Sequence, residues 1–491
     1  MRMDLAPVGA LSATDCLERA FHARSIAVVG ASANRARWAN MLFRRLLDGP
    51  YRGEVVAVNP ARTDIEGRPS YPSVADIPFV PDYVQIVVPR EQVAQALRDC
   101  ARRGVPLAHV FSSGFGEVGP PGPALESDLM QALAGGPTRM VGPNSLGMYS
   151  ASAGIDFSRG CHFEPGPFTF ISQSGSLCTD VLAIAQARGL CFSKILSVGN
   201  AADLDWPDFA DYCAADEATG IAIFYVESVR DGRRFYAALQ RLAARKPVLL
   251  LKGGRTGGGA RSVASHTGRL AGDYAVWQAM MAQAGAIELR GLEDMLAAMQ
   301  AYRSLQSCPL AAARGLMVVG SGGGVSVLIS DAAHEQGLAL AELALGTLAT
   351  LTQIIPDAAD LGGVGNPVEI PVDRMFGDLE LMGRIIEAAA ADAAVGLLLL
   401  HVNLIALSNN YDDGGTAQWA FVCDCLADIS KRLGKPLAVV MRNGGCNELT
   451  RALERTGSEQ LARKHGLPLF GHMAEALLYL RRCLDLREVL P

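Results

Sequence analysis

The chain has 491 residues, of which 50% are hydrophobic and 19% charged, with a net charge of −6. At roughly 100–200 residues per domain this suggests about three globular domains and excludes a disordered chain. Both signs of charge are dispersed, with no basic block, so neither nucleic acid nor an anionic membrane is an expected partner.

No apolar run reaches the roughly 18–20 residues that cross a bilayer. The first residues carry Asp4, Asp15 and Glu18 and do not read as a signal peptide. The 11 cysteines are scattered without a CxxC pair, which fits reduced thiols. A soluble, cytoplasmic protein is expected.

In chain order, SIAVV from Ser25 is a short apolar run, followed by small residues and then an amphipathic stretch. That is the pattern of strand, tight turn and helix. EVVAVNP, YVQIVVP and LAHVFSSG continue the series, giving a first α/β domain over residues 1–150. The same opening recurs in FTFISQSGSLCTDVLAIAQARG from Phe168 and in GLMVVGSGGGVSVLISDAAHEQG from Gly315. These begin domains expected over residues 151–310 and 311–491, each a doubly wound parallel sheet.

The second and third domains resemble one another. ATGIAIFYVES parallels AAVGLLLLHVN, and Lys246-Pro247 precedes a strand as Lys435-Pro436 does. We read a duplicated flavodoxin-like unit. In that alignment Glu227 falls opposite Asn403 and His266 opposite Arg455, so only the first copy carries an acid and an imidazole.

Four places are candidates for chemistry. The GAS turn at Gly30, Ala31 and Ser32 offers backbone N–H groups to a phosphate, and Gly30 permits close approach. It lacks the G-x-G-x-x-G spacing, and Asn59-Pro60 ends the second strand where a nicotinamide site would carry an acid, so a dehydrogenase is disfavoured. A plain structural turn remains the alternative. Ser174-Gly175-Ser176 opens a helix, either as an anion cradle or as an ordinary serine cap. Glu227 ends an apolar strand, where α/β sites form, although a surface salt bridge would also suit it. His266 lies in LKGGRTGGGARSVASHTGRLAG, expected to be a mobile Gly-rich loop. A neutral imidazole there is a nucleophile at ordinary pH, and Glu227 could hold its Nδ1–H and leave Nε2 to react.

VVGAS, AVNPA, SSGFGEVG, VGPNSLGMY, ISQSGSL, YVES and SHTGRLAG, in this order, resemble the α subunit of ADP-forming acyl-CoA synthetases, relatives of succinyl-CoA synthetase. The resemblance implies an N-terminal Rossmann-like CoA-binding domain followed by two flavodoxin-like domains. It implies coenzyme A as substrate, around Gly30, Ala31, Ser32, Asn59, Pro60, Pro89, Ser113, Gly114 and Asn144. It implies phosphate at Ser174, Gly175 and Ser176, transient phosphorylation of His266, and Glu227 as its orienting carboxylate. No metal site is expected in this chain. ATP and Mg belong by resemblance to an ATP-grasp β subunit, making a hetero-oligomer that joins a carboxylic acid to CoA. Two departures stand out. ANRARWANM replaces a glycine-containing stretch after GAS, and NPVEIP carries Glu369 for an aspartate. The alternative is a non-catalytic CoA or acyl-CoA binding protein on the same scaffold.

Overall fold

The computed structural model describes residues 11–158, 160–267, 272–308, 313–357, 363–371, 374–375, 378–411 and 414–490; of residues 265–267 and 379 it describes the backbone alone. Three sheets organise the chain, and it divides into two compact units, Met1–Arg290 and Gly291–Pro491.

The first sheet contains β1 (Ser25–Val29), β2 (Glu54–Val58), β3 (Asp64–Ile65), β4 (Arg68–Tyr71), β5 (Tyr83–Ile86), β6 (Leu107–Val110) and β7 (Arg139–Val141). Their order is β3-β4-β2-β1-β5-β6-β7. Without the short antiparallel β3, this is the Rossmann order, with the reversal between β1 and β5. The central strands are buried on both faces, which is why they read as continuous apolar runs.

The second sheet takes β8 (Met148–Ser150), β9 (Phe168–Ser172), β10 (Phe192–Ser197), β11 (Ile221–Val226), β12 (Val248–Lys252) and β13 (Ile287–Leu289), in the order β13-β12-β11-β9-β10-β8. Strand β8 runs antiparallel to β10; the other five give the flavodoxin order 2-1-3-4-5. One apolar core continues from the first sheet into the second. It runs from Phe21, Phe43 and Tyr83 to Trp206, Phe209 and Tyr212. Phe21 stacks on Tyr212 at 5.4 Å, and Arg139 makes a forked pair with Asp203. This shared core holds the two sheets as one unit.

The second unit has β14 (Gly315–Gly320), β15 (Val368–Glu369), β16 (Val395–Asn403), β17 (Leu437–Arg442) and β18 (Leu469–Phe470), in the order β15-β14-β16-β17-β18. This repeats the 2-1-3-4-5 topology. The two Lys-Pro pairs do equivalent work in the two copies. Lys246 donates to the Cys213 carbonyl at the end of helix Trp206–Ala215. Lys435 donates to the Ala390 carbonyl at the end of helix Leu379–Ala390. A cation at a helix C-terminus satisfies orphan carbonyls and the dipole together. Among the described residues no helix is long and apolar enough to cross a membrane.

Candidate functional site

The C-terminal ends of β1, β2 and β5 frame a cleft of about 510 Å³, lined by Gly30, Arg37, Asn59, Pro60, Val87 and Pro89 among others. Four of the residues expected to meet a cofactor are therefore together: Gly30, Asn59, Pro60 and Pro89. Gly30 has φ +88°, and a Cβ there would lie 2.3 Å from the Val87 carbonyl oxygen. The neighbouring strand's backbone thus demands the glycine, independently of any ligand. Asn59 spends its amide on the Ala31 carbonyl at 2.8 Å and so braces the turn. Ala31 is buried and Ser32 accepts from the Asn34 amide, so neither lines the cleft.

The residues that depart after GAS are accounted for. Arg35 makes a forked pair with Glu66 at 3.2 and 3.0 Å, and Asn40 donates to the same carboxylate. These contacts hold the Glu66 carboxyl below its ordinary range. Arg35 is thereby turned toward Glu66, while Arg37 lines the cleft. Trp38 opens the following helix, 53% exposed, and packs against Phe111 at 5.7 Å.

Ser113 and Gly114 lie beyond this cleft, on the turn after β6. The Gly114 carbonyl accepts from Arg90, the residue after Pro89. The Gly114 and Phe115 amides donate to the Glu117 carboxylate at 2.6 and 3.1 Å. Asn200, on the loop after β10, donates to Glu117 and Glu126 at 2.6 and 2.7 Å and ties this turn to the second sheet. Asn144 has φ 58° and donates its amide to the Ser112 carbonyl. Two residues on, the Leu146 amide donates to Ser197 Oγ, and a Cβ on Gly175 would touch Leu146 at 2.9 Å. The Asn144 loop thus seats directly on the start of the helix Gly175–Ala187.

At that start Ser174 is the cap. Its hydroxyl accepts the Leu177 amide at 3.3 Å and meets Ser176 Oγ at 3.2 Å. Ser174 thus caps the helix, and Ser176 beside it is exposed. Next to it, Gln173 Oε1 accepts the amides of Glu227 and Ser228 at 3.0 and 3.3 Å. Glu227 is 4% exposed, and its carboxylate accepts the Tyr225 hydroxyl at 3.2 Å. Lys252 Nζ donates to the Glu227 main-chain carbonyl at 2.7 Å. Burial brings the Lys252 ammonium down to about 8, against the pull of Glu227. Gln173, Asn200 and Lys252 were not singled out in the sequence. Their signals were places in quoted stretches: Gln173 in ISQSGSL, Asn200 in GNAADLDWPDFADY and Lys252 in LKGGRTGGGARSVASHTGRLAG.

The Gly-rich stretch expected as a loop is a helix, Gly257–Thr267. Thr256 caps it, its hydroxyl accepting the Gly259 amide at 3.1 Å and its carbonyl the Ala260 amide. Val263 is buried on its inner side. The cap and this packing outweigh the intrinsic penalty of the glycines. The helix packs against the turn Gly116–Val118, just beyond Gly114. His266 falls in its last turn, and the His266 side chain lies outside the described residues. In the second copy, Asn403 caps the helix Leu404–Asn409 and Arg455 sits in the helix Glu448–Gly457 that follows β17. Among the described residues no three His, Cys, Asp or Glu side chains stand together as a metal site.

A Rossmann sheet with a cleft at its switch point, joined to a flavodoxin-like sheet with a serine-capped helix, defines a CoA-ligase scaffold. Residues 24–151 match a family described as a CoA binding domain, and residues 165–302 one described as a succinyl-CoA ligase like flavodoxin domain. The α subunit of acetate–CoA ligase [ADP-forming] I from Pyrococcus furiosus is 34% identical, over 72% of this chain and 76% of that subunit. Acetate–CoA ligase [ADP-forming] I from Archaeoglobus fulgidus is 35% identical over 78% of this chain. The chain spans 54% of that relative's length. Dinucleotide forming acetyl-coenzyme A synthetase 1 from Ca. Korarchaeum cryptofilum, solved with phosphate and ADP, superposes with a TM-score of 0.80 at 29% identity. The match covers 96% of this chain and 97% of that one. The chain belongs to the ADP-forming acyl-CoA synthetase family.

Proposed function

We propose that this chain binds CoA and carries the phosphohistidine of an ADP-forming acid–thiol ligase. The observation that carries the reading is the junction at Asn144, Leu146 and Gly175, which sets the cofactor domain against the Ser174 helix and, at the end of the adjacent strand, Glu227. CoA would lie in the cleft of Gly30, Asn59, Pro60 and Pro89 and run past Ser113 and Gly114 toward Asn144. Ser174, Gly175 and Ser176 would receive phosphate through the free N–H groups and positive end of their helix.

In the direction of synthesis, His266 Nε2 carries a phosphoryl group received from ATP on an ATP-grasp partner, where Mg would also bind. A carboxylate oxygen of the acid attacks phosphorus, the N–P bond breaks, and an acyl phosphate forms. The CoA sulfur then attacks the acyl carbon and phosphate leaves, so that one thioester and one phosphate result. Glu227 would hold Nδ1–H and keep Nε2 as the reacting atom. The relatives are named for acetate, 4-hydroxybutyrate and trans-feruloyl acids. The acid is thus the variable part of a common scaffold.

The test is phosphate-dependent thioester cleavage. The purified chain, given phosphate and a panel of acyl-CoA thioesters, should bind CoA and release free thiol from the matching thioester. CoA binding without thiol release from any thioester, even with an ATP-grasp chain and ADP present, would instead support a non-catalytic acyl-CoA binding scaffold.

A further inference from the structure

Lys252 ends β12 with its side chain 2% exposed. Its ammonium donates to the carbonyls of Glu227 and Gly253 and stands 4.9 Å from the centre of the Trp277 ring. A buried ammonium is ordinarily neutralised by a carboxylate in direct contact. Here its partners are two carbonyls and a π face, and the charge that acts on it is that of Glu227.

The second copy gives a control. In register Lys252 lies beside Val226 and Met441 lies beside Val402, so the second copy has a methionine in the place of Lys252 and Asn403 in the place of Glu227. The copy that lacks the carboxylate therefore also lacks the lysine.

We propose that Lys252 is a positioning residue whose charge lets Glu227 and a phosphoryl group occupy the same end of the sheet. The inference rests on the phosphohistidine reading. A phosphoryl group brings a charge of about −2 beside the −1 of Glu227, in a place where water does not screen them. A cation already fixed on Glu227 offsets that repulsion before the phosphoryl group arrives. Because burial holds the ammonium near its deprotonation point, it has charge to give at neutral pH and loses it in alkali.

The experiment labels the full chain with acetyl phosphate and follows phosphate on His266 by intact mass, in wild type, K252M, E227Q and the double variant. K252M should slow labelling about tenfold when Glu227 is present and less than about threefold in the E227Q background, a coupling that a double-mutant cycle reads directly. CoA affinity should not move. K252R, which keeps the charge, should label faster than K252M and guards against a variant that merely misfolds. Equal loss in both backgrounds would make Lys252 a structural brace and overturn the inference. A wild-type chain that binds CoA but takes no phosphate, either from acetyl phosphate or from phosphate with any thioester of the panel, would remove the phosphohistidine reading itself.

Discussion

Gln173 and Glu227 meet across adjacent strands β9 and β11, where the Gln173 side-chain oxygen accepts the Glu227 amide at 3.0 Å and the Ser228 amide at 3.3 Å. One neutral side chain thereby fixes the end of the strand that carries the carboxylate. Gln173→Leu leaves two buried N–H groups without that acceptor, a cost of about 1–3 kcal/mol. The expected result is a lower melting temperature and about tenfold slower phosphorylation of His266, because the orienting carboxylate is no longer held in place. Calorimetric CoA binding should be unchanged.

Gly30→Ala tests the cleft. The added methyl would lie 2.3 Å from the Val87 oxygen at a φ of +88°. The backbone conformation alone costs about 1–3 kcal/mol, and the clash adds to it. A thermal melt should show the loss of stability, and a CoA titration should show weaker binding. Arg35→Ala should spare CoA binding, since Arg35 is committed to Glu66. Arg37→Ala, within the cleft, should weaken it.

Two buried histidines set the acid limit of the fold. Burial brings His109 and His401 down to about 4, and both are neutral in the folded chain at ordinary pH. Between pH 6.5 and about 4 the unfolded chain binds more protons than the folded one, so stability falls as pH falls through that window. The loss amounts to up to about 3 kcal/mol per histidine. Melting temperatures across this range should fall for wild type and fall less steeply for His401→Leu.

In the second unit, Arg482 grips Asp294 through two hydrogen bonds of 2.6 Å, joining helices Leu292–Leu305 and Met473–Arg487. Asp294→Ala removes both of these bonds and leaves the guanidinium on Asp485 at 2.9 Å, and should cost about 1–3 kcal/mol. Replacing both, as Asp294→Leu with Arg482→Met, should restore most of the loss in denaturant unfolding.

The sheets were legible because their strands are short apolar runs ending in Gly, Ser or Asn-Pro. The duplication was legible in Lys246-Pro247 and Lys435-Pro436, whose lysines close equivalent helix ends. The stretch from Gly253 misled, since five glycines outweighed Thr256 in a local reading, while the buried Val263 is a tertiary effect. Ala31 and Ser32 were expected around the cofactor; that the Ala31 carbonyl accepts from Asn59 and the Ser32 hydroxyl from the Asn34 amide was not legible in the sequence. Lys252 escaped notice because a lysine after four apolar residues reads as a solvated strand end. Only the pairing of β11 with β12 places it under Glu227.

The central claim is that His266 carries phosphate. The purified chain would be incubated with phosphate and the thioester it cleaves, then mapped by mass at neutral to alkaline pH, where phosphohistidine survives. The account predicts one phosphate on the peptide containing His266, absent in His266→Ala and reduced but present in Glu227→Gln, with CoA affinity the same in all three. Phosphate on another residue, or a His266 peptide that stays unphosphorylated while the chain cleaves the thioester, would contradict it.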